Sequence, residues 1–221
     1  MKPLPSSLAL CLALLLHSPA SAGSVQLTVI DKDGKPAPDV VVLIEPARRG
    51  AVQPAPEPVQ VVQEDLRFVP FLTVLPAGST VRFVNRDDYD HHVRSTPSGP
   101  LSAIAPVSSF ELRQGPAGAR RNASSAPTTA EVKLVVPGPI GIGCHLHGSM
   151  RGQLFVADTP WFGKTDTQGR VTIDGVPPGD AALRLWHSDQ LTEQPALKLV
   201  VPVETLRLGA TLNFTPARRR R

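Results

Sequence analysis

Short apolar runs separated by turn-forming residues dominate the chain. Val25-Gln26-Leu27-Thr28-Val29-Ile30 alternates apolar and polar positions approximately and is followed by Asp31-Lys32-Asp33-Gly34. That pattern predicts a strand ending in a tight turn. Residues 40–44 form a continuous, largely β-branched run, which predicts a buried strand. Further strands are predicted over 59–62, 72–75, 80–84, 131–136, 153–156, 171–173, 181–186, 197–201 and 210–214. Pro76-Ala77-Gly78-Ser79, Thr165-Asp166-Thr167-Gln168-Gly169 and Pro177-Pro178-Gly179 supply turns between them. Residues 46–58, with four prolines, read as a long loop, and 113–130 as a flexible excursion. No helix of normal length is predicted, so the fold class is all-β, with the strand spacing of a sandwich.

Composition agrees: 24 prolines and 5% aromatic residues in 221 suit many short strands and turns. Lys2 precedes an apolar run over residues 8–16, and Ala20-Ser21-Ala22 follows. This reads as a signal peptide over 1–22, cleaved before Gly23, and the run is too short to span a bilayer. An exported protein in the periplasm or outside the cell is expected, with no transmembrane segment. Removing Lys2 lowers the formal charge from +4 to +3, and Arg218-Arg219-Arg220-Arg221 carries four positive charges of its own. The rest is near neutral, which gives a nucleic-acid partner little support. The basic tail, 217–221, reads as a solvated end. Asn122-Ala123-Ser124 fits a glycosylation acceptor only as a chance match.

Cleavage would remove Met1 and Cys11, leaving one methionine and one cysteine, Met150 and Cys144. They close the same stretch, Cys144-His145-Leu146-His147-Gly148-Ser149-Met150, placed between two predicted strands. A lone thiol in an oxidising compartment has no internal disulfide partner. A thiolate, an imidazole and a thioether at this spacing are ligands that copper selects. Upstream, Phe83-Val84-Asn85 and a polar turn lead to His91-His92-Val93, which would bring His91 to the rim of a sandwich. Two imidazoles and a thiolate make a trigonal copper plane with methionine as the weak axial ligand.

These segments resemble the cupredoxin family, the blue copper proteins that include plastocyanin, pseudoazurin and amicyanin. Asn85, His91 and Val93 match the family's N-x5-H-x-V element, and Cys144, His147 and Met150 match C-x2-H-x2-M, the short amicyanin form. The resemblance covers about residues 59–157 and implies one type 1 copper held by His91, Cys144, His147 and Met150. Asn85, His92 and His145 would surround those ligands. His92 stands where the family usually has asparagine, and His145 where threonine, serine or asparagine is familiar; both could tune the site or bind metal themselves. Alternation along a strand makes them partly exposed rim residues. Asp87, Asp88 and Asp90 read as a solvated turn that could steer a basic redox partner.

The chain also looks like an exported, methylamine-utilisation-like group that pairs such a loop with flanking strands. Those flanks resemble a transthyretin/carboxypeptidase-regulatory-like, carbohydrate-binding-like β-sandwich. The turns at Asp31-Lys32-Asp33-Gly34-Lys35-Pro36, at residues 164–170 and at Val176-Pro177-Pro178-Gly179 carry that likeness. By it, a Greek-key cupredoxin domain (59–157) is inserted in a discontinuous second sandwich (23–50 and 158–216). Trp186-His187 would close that sandwich's core, and Trp161-Phe162 would plug the junction between domains.

The resemblance implies a non-enzymatic carrier of single electrons between redox partner proteins. A copper-binding or delivery protein, and a glycan-binding or cell-surface module with an incidental copper site, remain as alternatives. A thiol nucleophile with an imidazole base would leave Met150 and His91 without a role. Zinc seldom recruits a thioether.

Overall fold

The computed structural model describes residues 23–99, 104–118 and 127–217. The signal peptide, Asn122-Ala123-Ser124 and Arg218-Arg219-Arg220-Arg221 lie outside them. All regular elements of the described residues are strands. The first two are β1 (Gly23–Ile30) and β2 (Val41–Pro46). The central run is β3 (Val59–Glu64), β4 (Arg67–Val69), β5 (Leu72–Pro76), β6 (Ser79–Asn85), β7 (His91–Thr96), β8 (Glu111–Gln114), β9 (Thr129–Leu134), β10 (Gly138–Cys144) and β11 (Arg151–Ala157). The last five are β12 (Trp161–Lys164), β13 (Arg170–Val176), β14 (Gly179–Trp186), β15 (Leu197–Val201) and β16 (Thr205–Thr211). No helix among the described residues is long and apolar enough to cross a membrane.

The strands form four sheets, in the orders β13-β1-β16, β12-β2-β14-β15, β5-β11-β10-β7-β8 and β4-β3-β6-β9. The first two share an apolar cluster that includes Val25, Leu27, Val42, Ile44, Ile173 and Leu183. The other two share a second cluster around Val61, Phe83, Val93, Ile142, Leu154 and Met150. Between them lies a third, smaller cluster of Val41, Leu43, Leu72, Phe155, Ala157 and Trp186. The continuous run of β2 is thereby explained. Its even positions Val42 and Ile44 enter the first cluster, and its odd positions Val41 and Leu43 enter the third. β11 does the same, with Leu154 and Val156 on one face and Phe155 and Ala157 on the other. Period-2 geometry turns a run apolar on both faces into a strand buried between two layers.

Two turns are near copies. Asp31 Oδ1 accepts the N–H groups of Asp33 (2.8 Å) and Lys35 (2.9 Å), and Asp166 Oδ1 accepts those of Gln168 (2.8 Å) and Arg170 (2.9 Å). Gly34 and Gly169, with φ of 78° and 71°, take the left-handed position that side chains resist.

Several expectations are corrected. The excursion at 113–130 begins within β8, which pairs with β7, and ends within β9, which pairs with β6. The last strand is β16, earlier than 210–214, because it runs parallel to β1 from Ser24↔Thr205 to Ile30↔Thr211. Trp161 and Phe162 belong to β12, which pairs with β2. Trp161 packs on the first cluster, away from the junction, whereas Phe162 packs on the third, where a plug between the pairs of sheets was expected. Trp186 is not in the first cluster; it faces Phe155, with ring centroids 5.0 Å apart.

Candidate metal centre

The alternation of β6 sends Val81, Phe83 and Asn85 inward. Asn85 then shapes the loop that follows. Its Nδ2 donates to the carbonyls of Tyr89 and Gly115, both at 2.8 Å, and its Oδ1 accepts the N–H of Asp87 at 2.8 Å. The chain is thus brought round to start β7 at His91. β7 pairs antiparallel with β10, with Val93 opposite Cys144, so the first histidine and the cysteine arrive at the same edge of one sheet.

Beyond Cys144 the chain doubles back into β11. Within this loop Cys144 N–H donates to Met150 O (3.2 Å) and Met150 N–H donates to His147 O (3.0 Å). The two segments are tied by His145 N–H to His92 O at 2.8 Å. His92 N–H points at Cys144 Sγ, 3.4 Å away.

His91 Nδ1 lies 3.5 Å and His147 Nδ1 3.4 Å from Cys144 Sγ. The imidazole rings stand 5.0 Å apart at 70°. Among the described residues these three side chains form the group whose donor atoms all lie within 4.8 Å of one another. A metal bonded at roughly 2.0 Å to nitrogen and 2.3 Å to sulfur separates its donors by about 3.5 Å. The spacing therefore fits a shared ion, and the soft, nitrogen-rich donor set suits copper. His91 and Met150 are each 1% exposed and Cys144 3%, whereas His147 is half-buried. Met150 packs into the apolar cluster of the central sheets beside Cys144. Leu146, 54% exposed, stands next to His147.

The remaining histidines divide. His92 is 7% exposed, not a rim residue: its Nε2 is 3.4 Å from Glu111 Oε2 and its ring 5.5 Å from that of His145. β8 pairs alongside β7 and brings Glu111 to the His92 ring, which alternation alone could not reveal. His145 is exposed. His187 is buried elsewhere, where its Nδ1 accepts Asp189 N–H at 3.0 Å and its ring meets Phe214. It lines a cleft of about 1230 Å³ bordered also by Phe71, Arg151 and Lys164.

Sequence reasoning missed Asp87. Far from being a solvated turn residue, it is 8% exposed, and its Oδ2 lies 2.9 Å from His91 Nε2. Burial alone would raise its pKa. Hydrogen bonds from His91 and from the Asp65 and Leu66 backbone outweigh that and hold it below the usual carboxylate range. Burial in turn pushes the His91 pKa down despite the carboxylate beside it. Tyr89 caps the pair, with its ring 5.4 Å from that of His91 and 5.2 Å from that of His147.

No family model and no curated protein matches the chain. Among solved structures, a copper-containing nitrite reductase from Thermus scotoductus SA-01 aligns over 52% of this chain at 22% identity, with a TM-score of 0.37. That alignment spans 25% of the reductase's own length. Amicyanin from Paracoccus versutus aligns over 52% of this chain and 97% of its own, at 19% identity and a TM-score of 0.32. A reduced amicyanin variant aligns over 51% of this chain and all of its own, at 16% identity and a TM-score of 0.33.

Proposed function

We propose that this is an exported type 1 copper protein carrying single electrons between partner proteins, with one copper held by His91, Cys144, His147 and Met150. The observation that carries this reading is the convergence of both Nδ1 atoms on Cys144 Sγ, at 3.5 and 3.4 Å. Bound there, copper would supply a one-electron couple. The chain's part is to hold the donors still. Backbone hydrogen bonds fix Cys144, His145 and Met150 relative to one another and to His92, so the donor set stays in place as the charge changes. Burial of His91, Cys144 and Met150 excludes water and leaves the half-buried His147 edge as the route for an electron to a docked protein. The same burial favours electron carriage over copper delivery, because handing over an ion requires ligands that a recipient can reach.

In this reading residues 59–157 are a copper-binding unit inserted in a second sandwich built from 23–50 and 158–216. Support comes from the separate apolar clusters of the two pairs of sheets.

The test is to load the mature chain with copper and follow stoichiometry and voltammetry. One copper per chain and a reversible one-electron couple, both lost in Cys144→Ser, are expected. A protein that releases its copper on reduction, or binds it equally well without Cys144, contradicts the reading.

A further inference from the structure

The function proposed above leaves Asp87 unused, yet few side chains in the protein are so fully engaged. Its Oδ1 accepts Asp65 N–H at 2.8 Å, and its Oδ2 faces both Leu66 N–H at 3.4 Å and His91 Nε2 at 2.9 Å. Asp65 and Leu66 are the two residues linking β3 to β4, whose register closes on Glu64↔Arg67. Their φ angles are 52° and 60°, so both central positions of this hairpin turn are left-handed, as in a type I′ turn. A leucine side chain resists that region. Glycine or asparagine would be the ordinary choice, and the turn instead keeps its shape with both of its N–H groups directed at one carboxylate.

That carboxylate constrains the imidazole. An ionised carboxylate only accepts hydrogen bonds, so the ring nitrogen facing it must carry the hydrogen. The proton is thereby placed on Nε2, and Nδ1, the atom directed at Cys144 Sγ, keeps a free lone pair. We propose that Asp87, anchored by the Asp65-Leu66 turn, is the positioning residue of the first histidine. It sets the tautomer and ring plane of His91 and places a negative charge beside the metal centre, favouring the more oxidised copper. This rests on His91 being a ligand, but its first test does not need copper.

Asp87→Asn separates this role from a merely structural one. With one oxygen in place of two, asparagine cannot accept from both Asp65 N–H and the ring. If its oxygen faces Asp65 N–H, its amide faces His91 Nε2 and demands the opposite tautomer. If its oxygen faces the ring and Leu66 N–H, its amide is set against Asp65 N–H, donor to donor.

The first measurement is a long-range proton–nitrogen NMR correlation on the copper-free mature chain. His91 is expected to be neutral with its hydrogen on Nε2; a hydrogen on Nδ1 overturns the proposal, and this arm stands even if Asp87→Asn fails to fold. In the copper-loaded Asp87→Asn protein, copper affinity should fall about 10- to 100-fold and the reduction potential should rise. Asp87→Glu, which keeps the charge, should hold the potential near that of the wild type. A folded Asp87→Asn protein with lowered stability but unchanged tautomer and unchanged potential also overturns it. Failure of the wild-type chain to bind copper would instead count against the metal reading.

Discussion

The sulfur of Cys144 faces two imidazole nitrogens and the backbone N–H of His92, groups drawn from positions more than fifty residues apart. The cysteine and methionine were legible because each is alone in the expected mature chain, and His91 because a strand and a polar turn precede it. Asp87 was not, since three aspartates within four positions look alike in sequence. Only the position of the β3–β4 turn distinguishes the one that is buried. His92 was misplaced for a similar reason, as β8 pairs alongside it and brings Glu111 to its ring. Its contributions to the centre are a backbone N–H to sulfur and a carbonyl to His145. His92→Ala should therefore keep one copper per chain in a metal-content assay, and loss of copper would show that its ring is needed. Met150→Leu should also retain copper but raise the reduction potential, because an axial thioether stabilises the oxidised ion more than the reduced one. An unchanged potential on voltammetry would remove Met150 from the ligand set.

Length alone did not make a strand legible: β7 has six residues, but its first three are all buried, so it shows no alternation. β4 and β12, of three and four residues, are too short for a pattern and exist because neighbouring edges accept their hydrogen bonds. Turn chemistry was legible residue by residue, but its surroundings were not. Gly34 and Gly169 hold corresponding places in their aspartate-anchored turns, yet a Cβ at Gly34 would meet nothing within 4 Å. One at Gly169 would lie 2.2 Å from the carbonyl oxygen of Val29. Gly34→Ala should cost about 1–2 kcal/mol, the backbone penalty alone. Gly169→Ala should cost about 1–3 kcal/mol more, because the backbone of β1 must give way. Denaturant titration of both variants checks this, and equal losses would contradict the packing described.

Across the whole molecule, the all-β class followed from turns and runs, but the contact between the two pairs of sheets was anticipated only at Trp161-Phe162, of which Phe162 reaches it. The double-sided burial of β2 and β11 was readable only as hydrophobicity, with no sign of which layers it joined. Trp186, Phe155, Val41 and Leu43 supply that junction, and Arg184 reinforces it through both oxygens of Asp158 at 2.7 and 2.8 Å. Trp186→Ala should cost about 3–5 kcal/mol and split a single calorimetric transition into two, while leaving the metal centre intact. A variant that still unfolds in one transition at the original temperature would show that the junction does not couple the layers. The proposed function requires Cys144 to bind copper as a thiolate in a site shared with two imidazoles. The visible absorption spectrum of the copper(II)-loaded mature chain tests it most directly. An intense thiolate-to-copper charge-transfer band that Cys144→Ser abolishes is expected; weak absorption alone, the same with and without the cysteine, would contradict a thiolate-bound copper.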